Sequence, residues 1–221
     1  MKRFVFLYPQ EDIFSYEIEK GSILVTDKWE EERGHILDEE FRTTIGQSKE
    51  ALQSKARKDL TLYFTPIYKK QLNQCINQRY RNQGFEVNYF LLDGGELSPI
   101  IDRGRNDRVL FVGMDAKTHR TKRADETYPY PDQDYMLDQV LPADHIRVAG
   151  FHMWDCVEKF ARRAHERGVD VLVDEDLTEF FSFALIQPDF KPEVYRQDEQ
   201  HPDILRARIG KPWLFPEYNS K

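Results

Sequence analysis

Short apolar runs separated by amphipathic stretches constrain this chain most. RFVFLY (3–8), SILVT (22–26), LTLYF (60–64), FEVNYFLL (85–92), RVLFVG (108–113), HIRVAGF (145–151) and VDVLV (169–173) read as strands. Several are apolar at nearly every position, as strands covered on both faces are. Helical segments lie between them, and this alternation indicates an α/β fold: a three-layer, Rossmann-like arrangement with a mostly parallel sheet and helices on both faces. TPIYKKQLNQCINQRYRNQG (65–84) carries Thr65 as N-cap, Pro66 in the first turn and Gly84 at the stop. Its Tyr68, Leu72, Cys75, Ile76 and Tyr80 form one apolar stripe, which makes Cys75 a core residue. DQDYMLDQVL (132–141) is a short helix stopped by Pro142, and EDLTEFFSFAL (175–185) is a final helix.

The 221 residues form one α/β domain over 1–186, followed by an arm over 187–221 whose prolines at 188, 192, 202, 212 and 216 forbid continuous helix or sheet. Its PWLFPEY segment is suited to anchoring the arm on its own domain or on a neighbouring subunit. A net charge of −7 gives no global attraction to nucleic acid or anionic membrane. The basic stretches DRGRNDR (102–108) and KTHRTKR (117–123) read as loops. The opening MKRFVFLYP is cut short by Pro9, Glu11 and Asp12, too early for a signal-peptide core, and no run approaches the roughly 20 apolar residues that span a bilayer. The expectation is a cytoplasmic protein that acts on a small molecule. Two distant cysteines make neither a disulfide framework nor a metal pair.

Cys156 admits two readings. A strand ending at Gly150 and Phe151 and followed at once by a helix puts Cys156 in the first helical turn, at the carboxyl edge of the sheet where ligand crevices form. There the unpaired N–H groups and the helix dipole favour a thiolate and can hold an oxyanion. Against this, Met153, Val157, Phe160, Ala161 and Ala164 form a buried stripe, and a free cysteine packs well in a core.

VAGFHMWDCVEKFARRAHERGVDVLVDEDLTEF (148–180) resembles the isochorismatase-like cysteine hydrolases, the superfamily of nicotinamidases and N-carbamoyl amidohydrolases. In that family a strand ends in Ala-Gly and the nucleophilic Cys follows six positions later, then Val, paired alanines, Gly and a strand ending in Asp. Gly150, Cys156, Val157, Ala161, Ala164, Gly168 and Asp174 fit that order.

The resemblance implies hydrolysis of a small amide, carbamoyl or vinyl-ether substrate by a Cys, Asp and Lys triad. ILVTDKW nominates Asp27 as proton acceptor, whereas FLYPQEDIF also looks like the family's Asp-bearing segment and places Tyr8 in the catalytic position. KRADETY nominates Lys122, with Lys117 second. The Phe151–His152 peptide matches the family's often-cis bond beside the oxyanion hole. Phe151, His152, Trp154 and Tyr128 are candidates to line the substrate pocket, and Arg120 or Arg123 to bind a carboxylate. The family's Asp-x-His metal group has no counterpart after NYFLLDGGELSP, so no metal and no cofactor are expected. The family commonly forms homo-oligomers. With Asp27 in place the chain is an active hydrolase; with Tyr8 in place it is a silent binding or assembly module of the same fold.

Overall fold

The computed structural model describes residues 1–10, 66–125, 127–151, 153–178, 185, 190–193 and 211–213. The strand expectations at 22–26 and 60–64 lie outside these residues, as does Thr65. Five described strands form one parallel sheet: β1 (Lys2–Leu7), β2 (Glu86–Asp93), β3 (Arg108–Asp115), β4 (His145–Gly150) and β5 (Asp170–Thr178), in the order β3-β2-β1-β4-β5. In register, Phe6 pairs with Tyr89 and Ala149, and Leu7 pairs with Phe90 and Gly150.

Side chains alternate across a sheet, so each face needs its own cover. Helix α1 (Pro66–Cys75) continues through a π-helical turn (Ile76–Tyr80) and a 3-10 turn (Arg81–Gln83) to Gly84, whose φ of 77° closes the helix. It covers the face of Phe4, whose ring stacks on Tyr80 at 3.8 Å. Helix α2 (Ala116–Arg120) follows β3, and α3 (Gln133–Asp138) starts at the Asp132 cap. A π-helical turn (Met153–Val157) leads into α4 (Glu158–Glu166). Phe160 of α4 meets Phe90 on the opposite face, at 6.2 Å between ring centroids. Asp134 and Arg163 tie α3 to α4 at 2.8 Å. The fold is three-layered α/β. No helix among the described residues is long and apolar enough to cross a membrane.

Two expectations are corrected. The expected helix at 175–185 does not begin at Glu175, because β5 continues through Thr178. Buried Arg79 pairs with Asp174 at 3.0 Å and Asp176 at 2.9 Å, and Thr178 registers with Gly150. These contacts hold the segment extended against helical propensity. Burial raises the Asp174 carboxyl pKa and the Arg79 charge opposes that rise. The stretch 117–123, expected to be a loop, begins with α2, because the Asp115 carboxylate accepts from the Thr118 N–H at 2.8 Å and caps the turn.

The described arm residues lie on their own domain. Arg79 Nε donates to the Pro192 carbonyl at 2.6 Å, Val173 N–H donates to the Trp213 carbonyl at 2.8 Å, and Lys211 pairs with Glu158 at 2.8 Å.

The chain crosses from one side of β1 to the other between β3 and β4. The carboxyl ends of β1 and β4 therefore flank the topological switch point, where open α/β sheets bind ligands. Gly150 lets them close up: its φ is 121°, and a β-carbon there would lie 2.1 Å from the Leu7 carbonyl oxygen. Gly150→Ala should lower the free energy of unfolding in urea by about 2 kcal/mol or more. Gly84→Ala, at φ 77° but with no atom within 4 Å of the new β-carbon, should cost roughly 1 kcal/mol. Equal losses at the two positions would contradict this account of the strand ends.

Candidate functional site

Tyr8 follows β1 directly, in the left-handed region at φ 58°, an uncommon conformation for a bulky side chain. The segment 8–10 is latched to β2 and the turn beyond it. Tyr8 N–H donates to the Phe90 carbonyl at 2.7 Å, Gln10 N–H to the Tyr8 carbonyl at 2.8 Å, and Ser98 N–H to the Pro9 carbonyl at 2.9 Å. The buried Gln10 side chain accepts from Leu92 N–H. Gly95 leaves room for it, since a β-carbon there would sit 2.3 Å from the Gln10 amide nitrogen.

This latch sets the Tyr8 ring beside Cys156. Both are enclosed, Tyr8 at 3% and Cys156 at 2% exposure. Among the described residues, no group meets strict hydrogen-bond geometry with the Tyr8 hydroxyl. It faces the Cys156 thiol, a weak acceptor whose contact with it raises the phenol pKa. Burial first, then Cys156, Asp155 and Tyr130, hold the phenol pKa well above 10. Cys156 itself lies in the π-helical turn that opens into α4, where first-turn N–H groups lack intrahelical acceptors.

Four further side chains complete the cluster. His119 of α2 stacks on Tyr8 at 6.1 Å and meets the edge of Tyr130 at 5.9 Å, with Nδ1 2.9 Å from the Pro129 carbonyl. Tyr130 donates to Asp155 Oδ2 at 3.1 Å. Lys159 pairs with Asp155 Oδ1, and its ammonium sits over the Tyr130 ring at 3.8 Å. The cluster thus holds a thiol, two phenols, an imidazole and one ion pair.

The sequence candidates are distributed unevenly around it. Asp27, His152 and the Trp154 side chain lie outside the described residues. Phe151 is buried in the apolar core, and its N–H donates to the Leu7 carbonyl at 3.2 Å. Lys117 and Lys122 are exposed, the latter 5.6 Å from the centroid of the half-buried Tyr128 ring. Cys75 is fully enclosed, and burial pushes its thiol pKa up. Asp174 is enclosed in its pairing with Arg79. Sequence reasoning missed His119, Tyr130 and Lys159. The signals were the four-residue spacing of Asp155 and Lys159 and the Asp115–Thr118 cap, which makes a helix of the basic stretch and leaves His119 half-buried where Lys117 is exposed.

No protein-family model and no curated protein matches this chain. Its chemistry rests on the site's own geometry, which makes one stability prediction. The folded Tyr8 pKa is raised, so Tyr8 leaves stability unaffected below the unfolded value near 10 and subtracts from it above, where only the unfolded chain ionises. Above about pH 10, Tyr8→Phe should lose stability less steeply than wild type, by about 1.4 kcal/mol per pH unit. Denaturant titrations at a series of alkaline pH values measure this, and parallel slopes would contradict it.

Proposed function

We propose that this chain is a catalytically silent module of isochorismatase-like architecture, which holds a small molecule in the β1/β4 crevice without hydrolysing it. One observation carries the reading: the side chain that follows β1 and faces Cys156 is a phenol, where the resemblance calls for a proton-accepting carboxylate. Cysteine hydrolysis uses a base twice, to take the thiol proton and to activate the water that releases the acyl group. A phenol held well above pKa 10 stays protonated at neutral pH, so it donates but does not serve as that base. The carboxylate nearby, Asp155, is engaged by Lys159 and Tyr130.

A second reading, the cysteine hydrolase of small amides, carbamoyl compounds or vinyl ethers, is favoured by His119. With Nδ1–H donated to the Pro129 carbonyl, the neutral ring carries its lone pair on Nε2, and the ring stacks against Tyr8. In that reading Cys156 attacks, and His119, or Asp27 with Lys122 or Lys117, moves the proton.

Turnover and thiol reactivity separate the two. The silent module releases no product from nicotinamide, N-carbamoyl amino acids or isochorismate, and iodoacetamide near neutral pH labels Cys156 of the folded protein no faster than a free thiol. Turnover abolished by Cys156→Ala and by His119→Gln, with Cys156 labelled far ahead of Cys75, would establish the hydrolase instead.

A further inference from the structure

We propose that a cavity at the amino ends of β2 and β3 binds a small aromatic phosphomonoester, with Arg105 holding the phosphate and Phe85 the ring. The site lies at the edge of the sheet opposite Cys156, and it stands whether or not the chain hydrolyses anything. Its volume is about 410 Å³, within the range of small-molecule sites. One wall runs from Gly84 to Val87, where the helical segment closes and β2 begins. The other is the turn 104–107 that leads into β3. This turn is firmly built. Asp107 N–H donates to the Gly104 carbonyl at 3.1 Å, and Gly104 N–H donates to the Asp107 carboxylate at 2.8 Å. Arg81 Nε and the Tyr89 hydroxyl donate to the same carboxylate, each at 3.1 Å. Residue 104 has to be glycine for this closure, since a β-carbon there would lie 2.8 Å from Asp107 Oδ1 and 2.9 Å from Arg81 Nε.

The charges around the cavity define what it takes. Its two carboxylates are already served: Asp107 pairs with Arg81, and Glu86 pairs with Arg3 and with Arg108 at 2.9 Å. Arg105 and Asn106 occupy the central positions of the turn, exposed and without an ion pair or hydrogen bond among the described residues. Counting Arg105, four arginines stand against two carboxylates, on a chain whose net charge is −7. A phosphomonoester carries roughly −1.5 to −2 at neutral pH and matches that local excess. The guanidinium fork suits its oxygens better than an ammonium would. The half-buried Phe85 ring, held edge-on against Tyr80 at 5.3 Å, gives the aromatic body a flat apolar partner, with buried Val87 beside it. The Asn106 amide, both donor and acceptor, serves polar atoms on the edge of that body.

Calorimetric titration of the full chain with phenyl phosphate, AMP, inorganic phosphate and adenosine tests this. At least one of the two esters should bind wild type, and more tightly than inorganic phosphate, which lacks the ring, or adenosine, which lacks the charge. Arg105→Gln should weaken that ester about tenfold or more. Arg105→Lys, which keeps the charge and loses the fork, should fall between Arg105→Gln and wild type. Arg162→Gln, at an exposed position of α4, should bind as wild type does. A preference for AMP assigns a nucleotide to the site, and equal or tighter binding of phenyl phosphate assigns a simple aryl phosphate. The proposal is overturned if neither ester binds, or if Arg105→Gln binds as tightly as wild type. It is equally overturned if Arg162→Gln weakens binding as much as Arg105→Gln does, which would reduce the effect to general charge. Inorganic phosphate or adenosine binding as tightly as the esters would overturn it as well.

Discussion

The Leu7 carbonyl lies where a side chain on residue 150 would have to begin. Because residue 150 is glycine, with φ 121°, the ends of β1 and β4 approach until Phe151 N–H donates to that same carbonyl at 3.2 Å. Everything at the carboxyl edge follows from this contact. It brings the residue after β1 alongside the turn that carries Cys156, at the point where the sheet's connectivity reverses. The latch through Pro9, Gln10, Ser98 and Gly95 then fixes which way Tyr8 points.

Magnitudes show why Tyr8 is informative. Left-handed strain costs about 1–3 kcal/mol, and burying a hydroxyl against only a weak sulfur acceptor adds at most about 1–3 kcal/mol. Burying an apolar side chain of similar bulk contributes only about 1.5–3 kcal/mol. Packing alone barely offsets what the position costs. Its neighbours are well served by contrast: Asp155 has both Lys159 and Tyr130, and Lys159 has a carboxylate and a ring face. Among these side chains the Tyr8 hydroxyl, set against the thiol, has the weakest acceptor.

The layering was legible in the sequence because buried parallel strands are apolar at successive positions and Gly84 ends its helix with no competing signal. Gly150 was legible through its spacing to Cys156, though its physical reason, close approach to Leu7, emerges only when the strands are paired. The extension of β5 was not legible: 175–178 reads as helix locally and is held extended by Arg79, nearly a hundred positions earlier in the chain. His119 was hidden for a related reason, since its orientation depends on a capped helix five residues long within a charge-rich stretch. The choice between Asp27 and Tyr8 could not be made from motif likeness. Strand pairing puts Tyr8 beside Cys156, and Asp27 lies outside the described residues.

The central claim is that, among the described residues, the side chain set against the Cys156 thiol is a protonated phenol and not a carboxylate. Acyl transfer from p-nitrophenyl acetate tests this most directly, in a Cys75→Ala background with Cys156 as the remaining thiol. The account predicts at most one equivalent of p-nitrophenol per chain, with any acetyl group persisting on Cys156 by intact-mass analysis. Sustained release over many equivalents, with the free thiol regenerated and the activity lost in Cys156→Ala, would contradict it.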